Sequence, residues 1–233
     1  MKLFSRNGGN TKVKKSMTEA VHIASLSMYP TDEICPARKA AGCDKICLKD
    51  TGLATVYSTV NEARLRKTEW YLSDPVSFVE QMRRELHNFT KWCAKHSKQG
   101  VVRANTISDI RWEKHGLPQE FTELMWYDYT KLADRFHKPM PDNYKLMFSY
   151  SGAPKYKAQV RSFLSSNSDA PMSVVFRTGD FPKRFLDRDV IDGDASDWTN
   201  VSARNKVVAL KAKGKAKDDT SGFVVDTNHI PLL

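Results

Sequence analysis

The sequence predicts an α/β fold in a single domain: an incomplete (β/α) barrel or an open parallel sheet with βα crossovers. Three observations lead there. Short apolar runs alternate with stretches of helical spacing, the pattern of parallel strands joined by helices. Five or six such βα units fit within 233 residues. No internal repeat breaks that order, so a solenoid is excluded. Residues 1–18 read as a mobile basic lead-in, residues 19–225 as the α/β domain with a cysteine loop at 33–52, and residues 226–233 as a tail.

The elements follow in order. Val21-His22-Ile23-Ala24-Ser25-Leu26 is the first strand, broken by Tyr29-Pro30-Thr31-Asp32. Residues 33–52 are small, polar and without period, hence a loop. Val56, Tyr57, Val60 and Ala63 have helical spacing that extends to about Tyr71. The next helix is the clearest in the chain. Asp74 is a good N-cap and Pro75 suits the first helical position, where its missing N–H has no partner to lose. Val79, Met82, Leu86, Phe89 and Cys93 then form one apolar stripe. That stripe places Cys93 in the core. Val101–Asn105 is a strand. A helix before Leu124, a strand over 125–129 and a helix from Lys131 to Phe136 follow. Lys145–Tyr150 is a strand, Lys157–Leu164 a helix, Met172–Phe176 a strand and Lys206–Leu210 the last strand.

Composition narrows the function classes. Hydrophobic residues make up 40% and charged residues 27%, which supports a buried core. No apolar run is long enough to span a membrane, and Met1-Lys2-Leu3-Phe4-Ser5-Arg6 is no secretory leader. These features predict a cytoplasmic protein with reduced thiols. The net charge of +10 favours polyanionic partners, a nucleic acid or a nucleotide substrate. Two acid-free segments carry that excess: residues 2–15, with Lys12, Lys14 and Lys15, and residues 204–217, with Lys211, Lys213 and Lys215. They are either phosphate-binding segments or solvated basic surface.

Three of the four cysteines, Cys35, Cys43 and Cys47, fall in the loop after the first strand in the pattern Cys-x7-Cys-x3-Cys. Thiolates are soft metal ligands, and a loop can fold several around one point. Three suit an iron–sulfur cluster with one iron left open, or a zinc site completed by His22, His87, His96 or His115. The alternative is free thiols. At the end of the Val101–Asn105 strand, Asp109 with Arg103 or Asn105 could hold a hydroxyl or amine of a ligand, or Asp109 could simply cap a turn. Tyr127–Lys131 and Ser149–Gly152 are similar strand-end clusters. The acidic run at 189–197 is either a cation site or a turn with solvated acids.

Taken together, the order of Asn10-Thr11-Lys12, Cys35-Pro36 with Cys43 and Cys47, Glu62-Ala63-Arg64, Val102-Arg103, Ser108-Asp109, Asp192-Gly193-Asp194, Leu210–Gly214 and Ser221-Gly222-Phe223-Val224 resembles the bacteriophage gene product 88 family. The likeness covers roughly residues 9–225. The cysteine loop is also similar to that of radical S-adenosylmethionine proteins, with spacings of x7 and x3 where the common pattern has x3 and x2. That resemblance implies a 4Fe–4S cluster on Cys35, Cys43 and Cys47, at the top of a partial barrel. The open iron would bind S-adenosylmethionine, and Ser108, Asp109 and Lys131 would face this cofactor. A phage origin would place the protein in the host cytoplasm. Two further readings compete: a metal-stabilised nucleic-acid-binding protein of phage replication, using Lys12, Lys14, Lys15, Lys211, Lys213 and Lys215, and an interaction protein for a host factor, with the cysteines incidental.

Overall fold

The computed structural model describes residues 1–6, 20–195 and 202–227. Among them, ten strands and four α-helices make a mixed α/β fold with one sheet that does not close. The chain divides into two compact units. Unit one holds Met1–Cys35, Gly52–Asp128 and Met140–Lys145, and unit two holds Pro36–Thr51, Tyr129–Pro139 and Leu146–Leu233. No helix among the described residues is long and apolar enough to cross a membrane.

Unit one is built on β2 (Val21–Leu26) and β3 (Gln99–Arg103), which run parallel from Val21 opposite Gln99 to Ser25 opposite Arg103. The start of β4 (Met125–Thr130) continues the parallel ladder on β3. Two helices, α1 (Ser58–Ser73) and α2 (Pro75–Lys95), lie between β2 and β3 in the chain. The expected stripe of α2 is buried: Val79, Met82, Leu86, Phe89 and Cys93, with Phe78 added. Asp74 caps α2 by accepting the Ser77 N–H at 3.0 Å, and Pro75 opens it. Gly100 is required where β3 passes α2. A Cβ there would lie 2.4 Å from Leu124 and 3.0 Å from the Cys93 sulfur. A third helix, α3 (Leu117–Glu120), is a single turn.

The lead-in is not featureless where it is described. Phe4–Ser5 forms β1, antiparallel to β2, with Leu3 and Phe4 buried. Glu85 of α2 fixes this edge, its carboxylate accepting the Leu3 and Phe4 N–H groups at 2.7 and 2.9 Å.

Unit two contains the end of β5 (Tyr144–Ser149), then α4 (Lys157–Ser165), β6 (Met172–Phe176), β7 (Arg184–Phe185), β8 (Arg188–Asp192), β9 (Val207–Lys211) and β10 (Val224–Val225). β6 is central. It pairs with β5 through Met172 and Ser173, with β9 along its whole length, and with β10 through Val175 and Phe176, all in parallel. β8 extends the parallel ladder beyond β9. The core joins Phe148, Tyr156, Phe163, Met172, Val174, Phe176 and Val207. Phe148 stacks on Phe163 at 4.3 Å.

The parallel sheet expected from the sequence is therefore a mixed one. Among the described residues, β1 pairs antiparallel with β2, and so do the strands of the β7–β8 hairpin, where Phe185 faces Arg188. Leu186 and Asp187 both have positive φ, 47° and 58°, the tight two-residue turn whose twist suits a hairpin. The expected helix from Lys131 to Phe136 is a 3-10 turn over Ala133–His137.

Candidate metal centre at the cysteine loop

Residues 36–51 of the cysteine loop belong to unit two, where backbone turns shape them. Ala41 N–H bonds Ala37 O, and Cys43 N–H bonds Arg38 O. Gly42 has φ +73°, a left-handed conformation that favours glycine. Cys47 then precedes a short 3-10 turn, Leu48–Asp50.

Three contacts fix this loop, two of them just past the carboxyl ends of unit-two strands. Ser151, just past β5, donates its hydroxyl to Ala41 O at 2.7 Å. The Ser221 hydroxyl lies 3.1 Å from Gly42 O. Ile46 packs on a small cluster of Ala212, just past β9, with Ala216 and Val224. Buried Asp219 holds the C-terminal turn, accepting from Ser221 Oγ at 2.7 Å, Ser221 N and Val224 N. Arg177, just past β6, binds the Asp226 carboxylate and Asp219 O. Gly222, with φ +89°, lies so close to Ala153 that a Cβ would meet its backbone at 3.2 Å.

Cys43 and Cys47 are half-buried thiols, and the charge of a Cys43 thiolate would oppose ionisation of Cys47. Burial pushes both pKa values above the usual thiol range. Around Cys43, Lys131 acts in the opposite sense, favouring the thiolate, and Asp44 disfavours it. The buried Lys131 ammonium donates to Ser149 Oγ at 2.9 Å and sits 4.5 Å over the Phe223 ring. Unit two thus brings together three of the residues singled out from the sequence: Cys43, Cys47 and Lys131.

The raised thiol pKa values have a sign that can be tested. Below the ordinary thiol value of about 8.5, folded and unfolded chains both hold the protons and stability is flat. Above it the unfolded chain releases protons that the fold retains, so stability falls as pH rises. The urea midpoint should decline through this alkaline window, and the decline should be smaller in a Cys43→Ser/Cys47→Ser double variant. An equal decline in both proteins would contradict burial as the cause.

Cys35, Ser108 and Asp109 belong to unit one. Cys35 N–H bonds Thr31 O, and the preceding residue's carbonyl, Ile34 O, accepts the Asp109 N–H at 2.7 Å. Ser108 and Asp109 are buried. The Ser108 hydroxyl donates to Asn105 Oδ1 at 2.9 Å, so it shapes the turn after β3. The donor types suit a soft metal or cluster. Among the described residues, however, no group of three or more His, Cys, Asp or Glu is gathered as a metal ion requires, in the loop or in the acidic run. Cys93 is 4% exposed and lies against the position of Gly100.

The two charged segments left without a role meet in unit two. Asp194 accepts the Lys211 backbone N–H at 2.9 Å and pairs with Lys213 at 2.8 Å, while Lys206 pairs with Asp189 at 2.6 Å. Lys215 lies 3.8 Å from Asp50. Such exposed pairs are screened by solvent and contribute little to stability. Lys12, Lys14 and Lys15 lie outside the described residues, as does Asp197.

Two members of the strand-end clusters have surroundings that the sequence does not show. One is the buried acceptor Asp128, discussed below. The other is Tyr150, 1% exposed, whose hydroxyl has no hydrogen-bond partner among the described residues; burial pushes its pKa up to about 12. Tyr150→Phe removes an unsatisfied buried hydroxyl, and it should raise stability by about 1 kcal/mol in urea denaturation. A loss of that size would mean that the hydroxyl has a partner.

No curated protein and no solved structure matches the chain. The model of one family, Gene product 88, matches residues 2–227. With nearly its whole length matched, and with the motif order read from the sequence, the chain belongs to the gene product 88 family.

Proposed function

We propose that the cysteine loop holds an iron–sulfur cluster through Cys35, Cys43 and Cys47, a 4Fe–4S cluster by resemblance to radical S-adenosylmethionine proteins. The observation that carries this reading is the seating of the loop on the carboxyl ends of β5 and β9, where open α/β sheets hold their ligands. In unit two it supplies two soft donors beside a buried cation. Cys35, Cys43 and Cys47 would hold the cluster, which would supply one-electron chemistry at this site. Lys131, Ser108 and Asp109 are the residues proposed to face S-adenosylmethionine. Because the apo thiols hold their protons, loading releases protons and is favoured by alkaline pH. Single Cys→Ser variants at 35, 43 and 47, purified without oxygen, should each lose the brown colour and most of the iron, while Cys93→Ser keeps both. Iron retained in all three loop variants would reject the ligand set.

A second reading, a zinc-stabilised nucleic-acid-binding protein, is favoured by one observation. Lys211, Lys213, Lys215 and Lys217 are exposed while the intervening Ala212 and Ala216 are buried, which gives unit two a lysine ridge. It expects one zinc per chain and binding that weakens with salt.

A further inference from the structure

We infer that unit one carries a binding face for single-stranded nucleic acid, built by β1, β2 and the carboxyl-terminal half of α2. It shares its ligand chemistry with the second reading but none of its residues, and it does not depend on the cluster.

The sequence from Leu86 to Ser108 contains no Asp or Glu, while it holds Lys91, Lys95, Lys98 and Arg103 with His87 and His96. On α2, Arg84, Asn88, Lys91 and Lys95 recur at helical spacing on the exposed side, away from the buried stripe. Cations also converge from other elements. Burial disfavours protonation of His22, and the Arg6 and Lys98 charges add to that effect, while a hydrogen bond to the Arg6 backbone works against it.

An aromatic stack stands among these cations. His96 lies 4.2 Å from Trp92 with nearly parallel rings, His22 lies 4.5 Å from the same indole, and the Arg6 guanidinium is 5.7 Å over it. His96 is exposed, so it presents a π surface at the end of the stack. Beside it opens a cleft of about 350 Å³. Phe4, Ala24, Leu86 and Phe89 give the cleft an apolar lining, with the cations Lys2 and Arg6 and one acid, Glu85, whose carboxylate is engaged by the Leu3 and Phe4 N–H groups. Cations that track a backbone, together with aromatic surfaces that take bases, are the physical requirements of single-strand binding. A duplex keeps its bases stacked inside and would use only the cations. An acidic peptide would leave the ring stack idle. A membrane surface would call for several exposed apolar anchors, whereas Met1 alone of the large exposed apolar residues described lines the cleft; those at 53–76, such as Val56, Tyr57 and Val76, belong to α1, its lead-in and the first turn of α2.

The test is fluorescence anisotropy with metal-free full-length protein. It uses an oligodeoxythymidine of about 20 nucleotides, longer than a single site. The wild type should bind it, prefer it to duplex of the same length, and show quenched tryptophan emission. Lys91→Glu/Lys95→Glu should weaken binding at least about tenfold. The slope of log K against log salt should fall by about 1.4, two single-strand phosphate contacts. Both residues are exposed, and an unchanged melting curve verifies folding. His96→Ala should weaken binding about fivefold or more. Lys211→Glu/Lys213→Glu should bind as the wild type does. No binding at low salt, an unaffected Lys91→Glu/Lys95→Glu variant, or loss confined to Lys211→Glu/Lys213→Glu would each overturn the assignment. Equal affinity for duplex would do the same, as would capture by phosphatidylserine vesicles without oligonucleotide binding.

Discussion

Asp128→Ala is expected to destabilise the protein by about 3–5 kcal/mol, the range for removing one side of a buried charged network. The Asp128 side chain is 1% exposed. It accepts Asn105 N–H at 2.7 Å, Asn105 Nδ2 at 3.0 Å and the Tyr144 hydroxyl at 2.7 Å. Asn105 in turn holds the loop after β3, donating to Ile110 O and accepting from Ile110 N and Ser108 Oγ. Alanine would leave the Asn105 N–H and Tyr144 hydroxyl buried without this acceptor, and each such group costs about 1–3 kcal/mol. The loop with Ser108 and Asp109 would loosen as a consequence. Asp128→Asn keeps the volume and one acceptor oxygen, so it should lose less. Urea denaturation of the three proteins measures the series. A change below about 1 kcal/mol in the alanine variant would contradict this role.

The second large effect is expected at Gly42. A Cβ on this residue would lie 2.3 Å from Ser221 Oγ and 2.6 Å from Ser221 Cβ. Ser221 cannot move aside cheaply, because its hydroxyl donates to the Asp219 carboxylate and accepts the Phe223 N–H. The φ of +73° adds a backbone penalty that is worst for a β-branched side chain. Gly42→Val should therefore cost about 3 kcal/mol or more and push the cysteine loop off the strand ends. Cys43 would become more exposed. Iodoacetamide should then alkylate it faster than in the wild type, as read by mass spectrometry of the labelled peptide. Unchanged labelling together with unchanged stability would show that the loop is not clamped at this point.

The regular elements were legible because their signals are local. The apolar stripe of α2 with its Asp74 and Pro75 start, and the runs at 21–26 and 172–176, each declare themselves within one window. What stayed hidden depends on distant partners. β1 is two residues long and is held by Glu85, more than eighty residues away. The β7–β8 turn uses Leu186-Asp187 in a conformation normally announced by Asn-Gly, so its sequence carries no hairpin signal. β10 pairs with the end of β6 as a two-residue strand, too short to show alternation.

The candidate site was legible in residue type and less so in arrangement. Clustered cysteines after the first strand drew attention to the loop, and Lys131 came from the likeness to a known family. Nothing in the sequence reveals that Ser151 and Ser221 reach the carbonyls of Ala41 and Gly42, contacts spanning 110 and 179 residues. Nor could composition show that the acidic run and the basic segment neutralise each other through Asp194 and Lys213. Equally hidden was the hydrogen bond that the Ser108 hydroxyl donates to Asn105 Oδ1.

Iron and acid-labile sulfide, quantified per chain in protein purified and reconstituted without oxygen, bear most directly on the cysteine loop. A 4Fe–4S site on Cys35, Cys43 and Cys47 predicts about four of each per chain, in brown protein. Colourless protein that holds a single zinc, or that takes up no metal at all, would contradict it.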